Sequence, residues 1–330
     1  MLLLRLALLS LLLSLALPAR AVTLLRDPDI EQALRALATP VLRAAGLSPA
    51  RVDILLIDDS SMNAFVIDAD SIFIHSGLIL RMDTPAMLQS VIAHEAAHIA
   101  NGHLMRRPIN ARNARTAAAL GTALAAVAGA AAGSGEFAAG AAAGLQGAAI
   151  RSFFSHTRAE ENAADASGMR FLLTAGIDLH GAVQVMELFQ GQEALSVSRQ
   201  DAYARTHPLS RDRFRRIAQL AEAQGKTVAP DPEATYWFAR AKSKLSAFQR
   251  SPKWTLTRAG EYGYQDVKLM RQAIAYHRQA DLRRALTAID GAVALRPNDP
   301  YLHELRGQIL MKSRQIKPAV AAYARAANLA

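Results

Sequence analysis

The chain of 330 residues contains no cysteine, so neither a disulfide nor a lipid-modified N-terminal Cys is available, and its stability must come from packing and metal. Long apolar runs are also missing. Leu6 to Leu17 is short for the roughly 20 residues of a spanning helix, and Gly133-Ser134-Gly135 divides the Ala/Gly-rich stretch 116–150 into two short halves. That stretch is expected to be a helical hairpin or lid; bilayer insertion is the alternative. No basic, aromatic-interleaved motif appears, which argues against nucleic acid as a partner. The formal charge of +10 is more compatible with solubility or peripheral contact with an anionic membrane.

The first 21 residues combine basic Arg5, a leucine-rich run and a small-x-small site at Ala19-Arg20-Ala21, the pattern of a cleaved secretory signal peptide. Removing Arg5 and Arg20 takes the charge from +10 to +8. The mature protein is therefore expected outside the cytoplasm.

Ile30, Leu34, Leu37, Val41 and Leu42 recur at helical spacing, predicting a helix over Asp29 to Ala45 that Gly46 ends. Short β-rich runs at 52–57, 64–67 and 71–75 predict a small antiparallel sheet. Thr84-Pro85 reads as a cap and first turn for a helix over about 85–103. Helical patterns resume over 151–173, from Asp178 to Phe189, and from Arg211 onward. The fold class is α+β, mainly helical.

Beyond Pro230, residues Ala273, Tyr276, Ala285, Ile289, Ala292 and Pro297 fall at tetratricopeptide positions with a period of about 34 residues. Gly307, Ala319, Tyr323 and Ala326 begin a second unit, and the chain's last residue precedes that unit's expected end. The expected division is a leader over 1–21, a catalytic domain over 22–225, a helical linker or degenerate repeat over 226–265, and repeats over 266–330.

The chemistry is concentrated in His94-Glu95-Ala96-Ala97-His98. Helical residues four apart lie about 40° apart around the axis, so both imidazoles can face one Zn²⁺ while Glu95 reaches a water on it. Two solvated or core histidines are the bland alternative. A catalytic zinc needs a third protein ligand. A metzincin would supply Gly at position 101 and His at 104, whereas Asn101 and Leu104 stand there. His103, about 140° away on a continued helix, reads as a helix-end hydrogen-bonding group. Acidic candidates lie in Glu160-Glu161-Asn162-Ala163-Ala164-Asp165, where Glu161 and Asp165 share a helix face. One can bind zinc while the other orients a histidine; a surface acidic pair is the alternative.

Together, HExxH and Thr157-Arg158-Ala159-Glu160-Glu161-Asn162-Ala163-Ala164-Asp165 resemble the M48 gluzincin metallopeptidases, whose second block reads Ser-Arg-x-x-Glu-x-x-Ala-Asp; Thr157 replaces the usual serine. The resemblance implies His94, His98 and Glu161 as ligands of one Zn²⁺, Glu95 as catalytic base and Asp165 as the carboxylate behind a histidine. It extends to Asn63-Ala64-Phe65 as a substrate-side strand, and to His207 and Arg213 as catalytic candidates near Thr206-His207-Pro208. For these two, a loop histidine and a solvated basic face are the alternatives. Leader, protease and repeats in this order are similar to periplasmic members of the family. That similarity implies unfolded or misassembled polypeptides as substrates, and a role in outer-membrane protein quality control with assembly machinery reached through the repeats. The competing readings are a repeat scaffold or chaperone with a latent or structural zinc, and an integral-membrane protease.

Overall fold

The computed structural model describes residues 23–104, 158–196, 199–225 and 227–330; the expected leader at 1–21 and the Ala/Gly stretch 116–150 lie outside them. Helix α1 (Pro28–Ala44) begins where the Asp27 carboxylate accepts the Ile30 N–H, with Pro28 in the first turn. Its periodic Ile30, Leu34, Leu37, Val41 and Leu42 are all buried.

Strands β1 (Leu24–Leu25), β2 (Asp53–Ile57), β3 (Ala64–Val66) and β4 (Ser71–His75) form one sheet in the order β1-β2-β4-β3. The expected antiparallel sheet is corrected here to a mixed one, because β2 and β4 are parallel while the other two pairings are antiparallel. The chain leaves β2, turns down through β3 on the far side, and returns between them as β4. A strand inserted in this way must run in the direction of β2.

After α2 (Ser76–Arg81) comes α3 (Pro85–Ala100), capped by the Thr84 hydroxyl, which accepts the Met87 N–H. Every residue from Met87 to His98 is buried, so α3 is a central helix covered on all sides. A helix over 158–174 (α4), then α5 (His180–Leu188), α6 (Ala202–Thr206) and α7 (Arg211–Gln224), complete the first hydrophobic core with α1 and the sheet. Helix α4 crosses α3 closely at Gly168, where an added Cβ would lie 3.3 Å from the Ala93 carbonyl and the His94 nitrogen. Glycine at this crossing lets the acidic face of α4 meet the histidines of α3.

Helix α8 (Pro232–Gln249) joins two cores: Ala234, Phe238, Ala241 and Leu245 enter the first, and Tyr236 and Ala247 the second. Beyond α9 (Pro252–Thr257), the second core is built on α10 (Gln265–Arg278), α11 (Leu282–Leu295) and α12 (Pro300–Lys312), and α13 (Ile316–Leu329) packs on α12. The joint is ionic as well as apolar. Buried Arg240 reaches Asp29 at 2.6 Å and grips Asp299 at 2.5 and 3.0 Å, while buried Lys244 bonds Asp27 at 2.8 Å. Among the described residues, no helix is long and apolar enough to cross a membrane.

Candidate metal centre

His94 and His98 stand one turn apart on α3, and α4 brings Glu161 against both at 3.3 Å. His207, just after α6, completes the group. The ligand-type atoms of His94, His98, Glu161 and His207 all lie within 4.8 Å of one another, on four buried residues. Nitrogen–nitrogen separations are 3.2 Å for His94–His98 and 3.1 Å for His94–His207, and Glu161 lies 3.1 Å from His207. Ligands about 2.0–2.1 Å from a tetrahedral zinc are separated by about 3.3–3.4 Å along each edge. Five of the six residue pairs, at 3.1–3.3 Å, approach that spacing, His94 and His207 meeting Glu161 at Oε2 and His98 meeting it at Oε1.

The outer nitrogens agree with this reading. His94 presents Nε2 to the cluster and Nδ1 to Asp165 Oδ1 at 3.1 Å. His98 presents Nε2 inward and Nδ1 to His103 Nδ1 at 3.0 Å. His207 presents Nδ1 inward and donates from Nε2 to the Ala64 carbonyl at 3.2 Å. Each ring thus has an outer partner able to take an N–H, so that its inner nitrogen can offer a lone pair to a cation in place of a proton. Charge points the same way: the buried carboxylates of Glu95 and Glu161 and the largely covered one of Asp165 face, among the described residues of this group, the single guanidinium of Arg213, a balance a divalent ion would neutralise.

Burial disfavours charge on His94, yet hydrogen bonds to Asp165 and Glu161 hold its pKa up at about 10. For His98 desolvation prevails and lowers it to about 3. Asp165 is pulled down to about 2 despite its burial, by the Arg213 clamp and by His94. Glu161 lies well below the ordinary glutamate value, burial being outweighed by His207, His94 and His98.

Glu95 is fully buried; neither carboxylate oxygen has a hydrogen-bond partner among the described residues, although His207 Nε2 approaches Oε1 to 3.3 Å. Arg213 donates from Nε and Nη2 to Asp165 at 2.7 and 2.8 Å, and from Nη1 to the Pro208 carbonyl at 2.8 Å. Its guanidinium also lies 3.1 Å from Glu161, so it ties α7 to α4 and to the His207-Pro208 turn. Asn63 and Ala64 are buried and Phe65 stacks on Phe73 at 5.3 Å. Segment 62–64 is bound by the α6 region: the Tyr203 N–H donates to Met62, the Thr206 hydroxyl to Asn63, and His207 to Ala64.

His103 is the helix-end hydrogen-bonding group expected and stands outside the ligand cluster. Helix α3 stops at Ala100, and Gly102 at φ +67° turns the chain so that the buried His103 comes back under His98. The glycine before this histidine was the available signal. Glu160, neighbour of the glutamate in the cluster, is not part of it.

An HExxH helix whose histidines meet a glutamate from a following helix defines the gluzincin class of zinc metallopeptidases. The chain belongs to peptidase family M48, whose model matches residues 25–221, and this family is zinc-dependent. It is similar to a putative beta-barrel assembly-enhancing protease of Vibrio cholerae, 28% identical over 276 residues, covering 76% of this chain and 54% of that protein. A beta-barrel assembly-enhancing protease of Escherichia coli K12 is 27% identical over 223 residues, covering 67% of this chain and 44% of the relative. The Yersinia pestis protein of that name is 26% identical over 228 residues. The chain spans about half the length of these relatives.

Proposed function

We propose that this chain is a zinc-dependent endopeptidase of the bacterial periplasm that hydrolyses unfolded or misassembled polypeptides in outer-membrane protein quality control. The carrying observation is the convergence of three imidazole lone pairs and the Glu161 carboxylate on one buried point. His94, His98 and Glu161 hold the ion, one per chain. When bound, zinc supplies Lewis-acid polarisation of the scissile carbonyl and acidifies a water. Glu95, whose oxygens have no hydrogen-bond partner among the described residues, takes a proton from the attacking water and delivers it to the leaving amine. Asp165 fixes the His94 tautomer, and Arg213 fixes Asp165.

His207 occupies the position that a catalytic zinc site keeps for water. In this reading the fourth ligand is a resting cap, and its departure opens the site, after which the same imidazole is placed to stabilise the oxyanion. Substrate enters along β3. The His75 N–H donates to the Asn63 carbonyl, so hydrogen-bonded pairs with β4 fall at 63 and 65. The N–H and C=O groups of Ala64 and Val66 then face the outer edge, where an extended chain can pair by its backbone whatever its sequence. His207 must release the Ala64 carbonyl for that strand to pair fully.

The same reading keeps 1–21 as a leader, 22–225 as the protease, 226–265 as a joining segment and 266–330 as tetratricopeptide-like repeats that reach assembly machinery. The names of the relatives support the outer-membrane assignment. A second reading, a scaffold with a structural zinc, draws on the four-ligand closure; the Glu95 oxygens, without a hydrogen-bond partner among the described residues, favour catalysis. Casein cleavage with zinc quantified separates them. Glu95→Gln is expected to keep about one zinc and to lose about 10²–10⁴ in turnover; undiminished cleavage by that variant overturns the catalytic reading.

A further inference from the structure

We propose that His103 is a positioning residue for the metal centre, a neutral acceptor that fixes the ring orientation and tautomer of His98. The inference rests on the metal reading of the cluster and adds a residue to it. His98 must keep its Nε2 lone pair for the ion, so its proton resides on Nδ1, which lies 3.0 Å from His103 Nδ1. His103 therefore accepts at Nδ1 and carries its own proton on Nε2. The two rings meet edge to face, with centroids 5.0 Å apart and planes at 74°. His98 is fully buried and His103 nearly so, so no bulk water substitutes for this acceptor.

The choice of a neutral acceptor has an electrostatic reason. Glu95, Glu161 and Asp165 already crowd the pocket, and Asp165 serves as the charged acceptor behind His94. A second carboxylate behind His98 would add a further negative charge with, among the described residues, only Arg213 in the pocket to offset it. A histidine completes the hydrogen bond and leaves the charge unchanged. The chain delivers it with a single turn: Gly102 in the left-handed region places His103 five residues after the ring it supports.

The test compares His103→Phe, which keeps a ring but removes the acceptor, with His103→Gln, whose carbonyl can still accept. Zinc affinity is measured by chelator competition, alongside kcat and KM at saturating zinc and thermal unfolding of the metal-free proteins. His103→Phe is expected to weaken zinc about 10–100-fold, the scale of losing such an outer partner, and His103→Gln to recover most of that loss. A merely structural role predicts the reverse order, because Phe better preserves the ring's volume. Unchanged affinity in His103→Phe, or equal losses in both variants, overturns the inference. A parent chain that binds no zinc overturns the metal reading itself, which keeps the two failures distinct. Nitrogen-15 spectra of the zinc-loaded parent give a test free of variants: His103 bare at Nδ1 and protonated at Nε2 is expected, and the opposite tautomer overturns the proposal.

Discussion

Two of the places where the molecule buries charge handle it in opposite ways. At the α1–α8–α12 joint, Arg240 and Lys244 are matched within the chain by Asp27, Asp29 and Asp299. Burial opposes charge on Asp29, yet Lys244 and Arg240 hold its pKa below the usual aspartate value, and both cations are shifted upward despite their own desolvation. At the metal centre, carboxylates and imidazoles outnumber the cations among the described residues and converge on a point. A cluster whose cations are paired with carboxylates of the same chain locks two cores together; one with surplus donors is placed to bind an ion. Both hold buried ionisable groups, and the difference lies in whether cations of the chain itself pair with the carboxylates.

Replacing Glu161 by Ala should break the metal side most severely, abolishing casein cleavage and tight zinc binding while the protein still folds. Retained turnover in a chelator-washed sample would contradict this. Arg240→Met should break the joint instead. Leaving buried Asp29 with Lys244 as its remaining cation, and half-buried Asp299 without its clamp, costs about 3 kcal/mol in denaturant unfolding, and zinc affinity per folded molecule should hold steady. A large loss of zinc affinity in that variant would mean the two regions are coupled.

Asp165→Asn tests a smaller term at the centre. Losing the charged partner of His94 should weaken zinc about 10–100-fold, measured by chelator competition. The gentlest probe is pH. Because the folded-state pKa of Asp29 is depressed from 3.8, its stabilisation is present above that value and is lost as pH falls through the lower folded value. The stability gap between the parent and Asp29→Asn should therefore be full near neutrality and shrink below pH 3.8; a gap independent of pH would assign the cost to packing.

Much of the metal helix was legible before any coordinates. Thr84-Pro85 announced the start of α3, and the i, i+4 spacing of His94 and His98 follows from helix geometry whatever surrounds it. The first helix and the three main strand segments were equally readable from apolar period. Strand direction was not, since nothing local distinguishes β4 returning inside β3 from a simple meander. The joint was invisible for a similar reason: Arg240 and Asp29 are 211 positions apart, and neither carries a local motif.

The sequence by itself determined which side chains sit one helical turn apart and which face of each amphipathic segment seeks the core, because both follow from backbone periodicity. The tertiary structure alone decided that His207 meets His94 across 113 positions, that His103 turns back under His98, and that the Ala64 carbonyl faces the edge His207 occupies. Those facts depend on how α3, α4, α6 and the sheet pack, and packing is a property of surfaces brought together from distant parts of the chain.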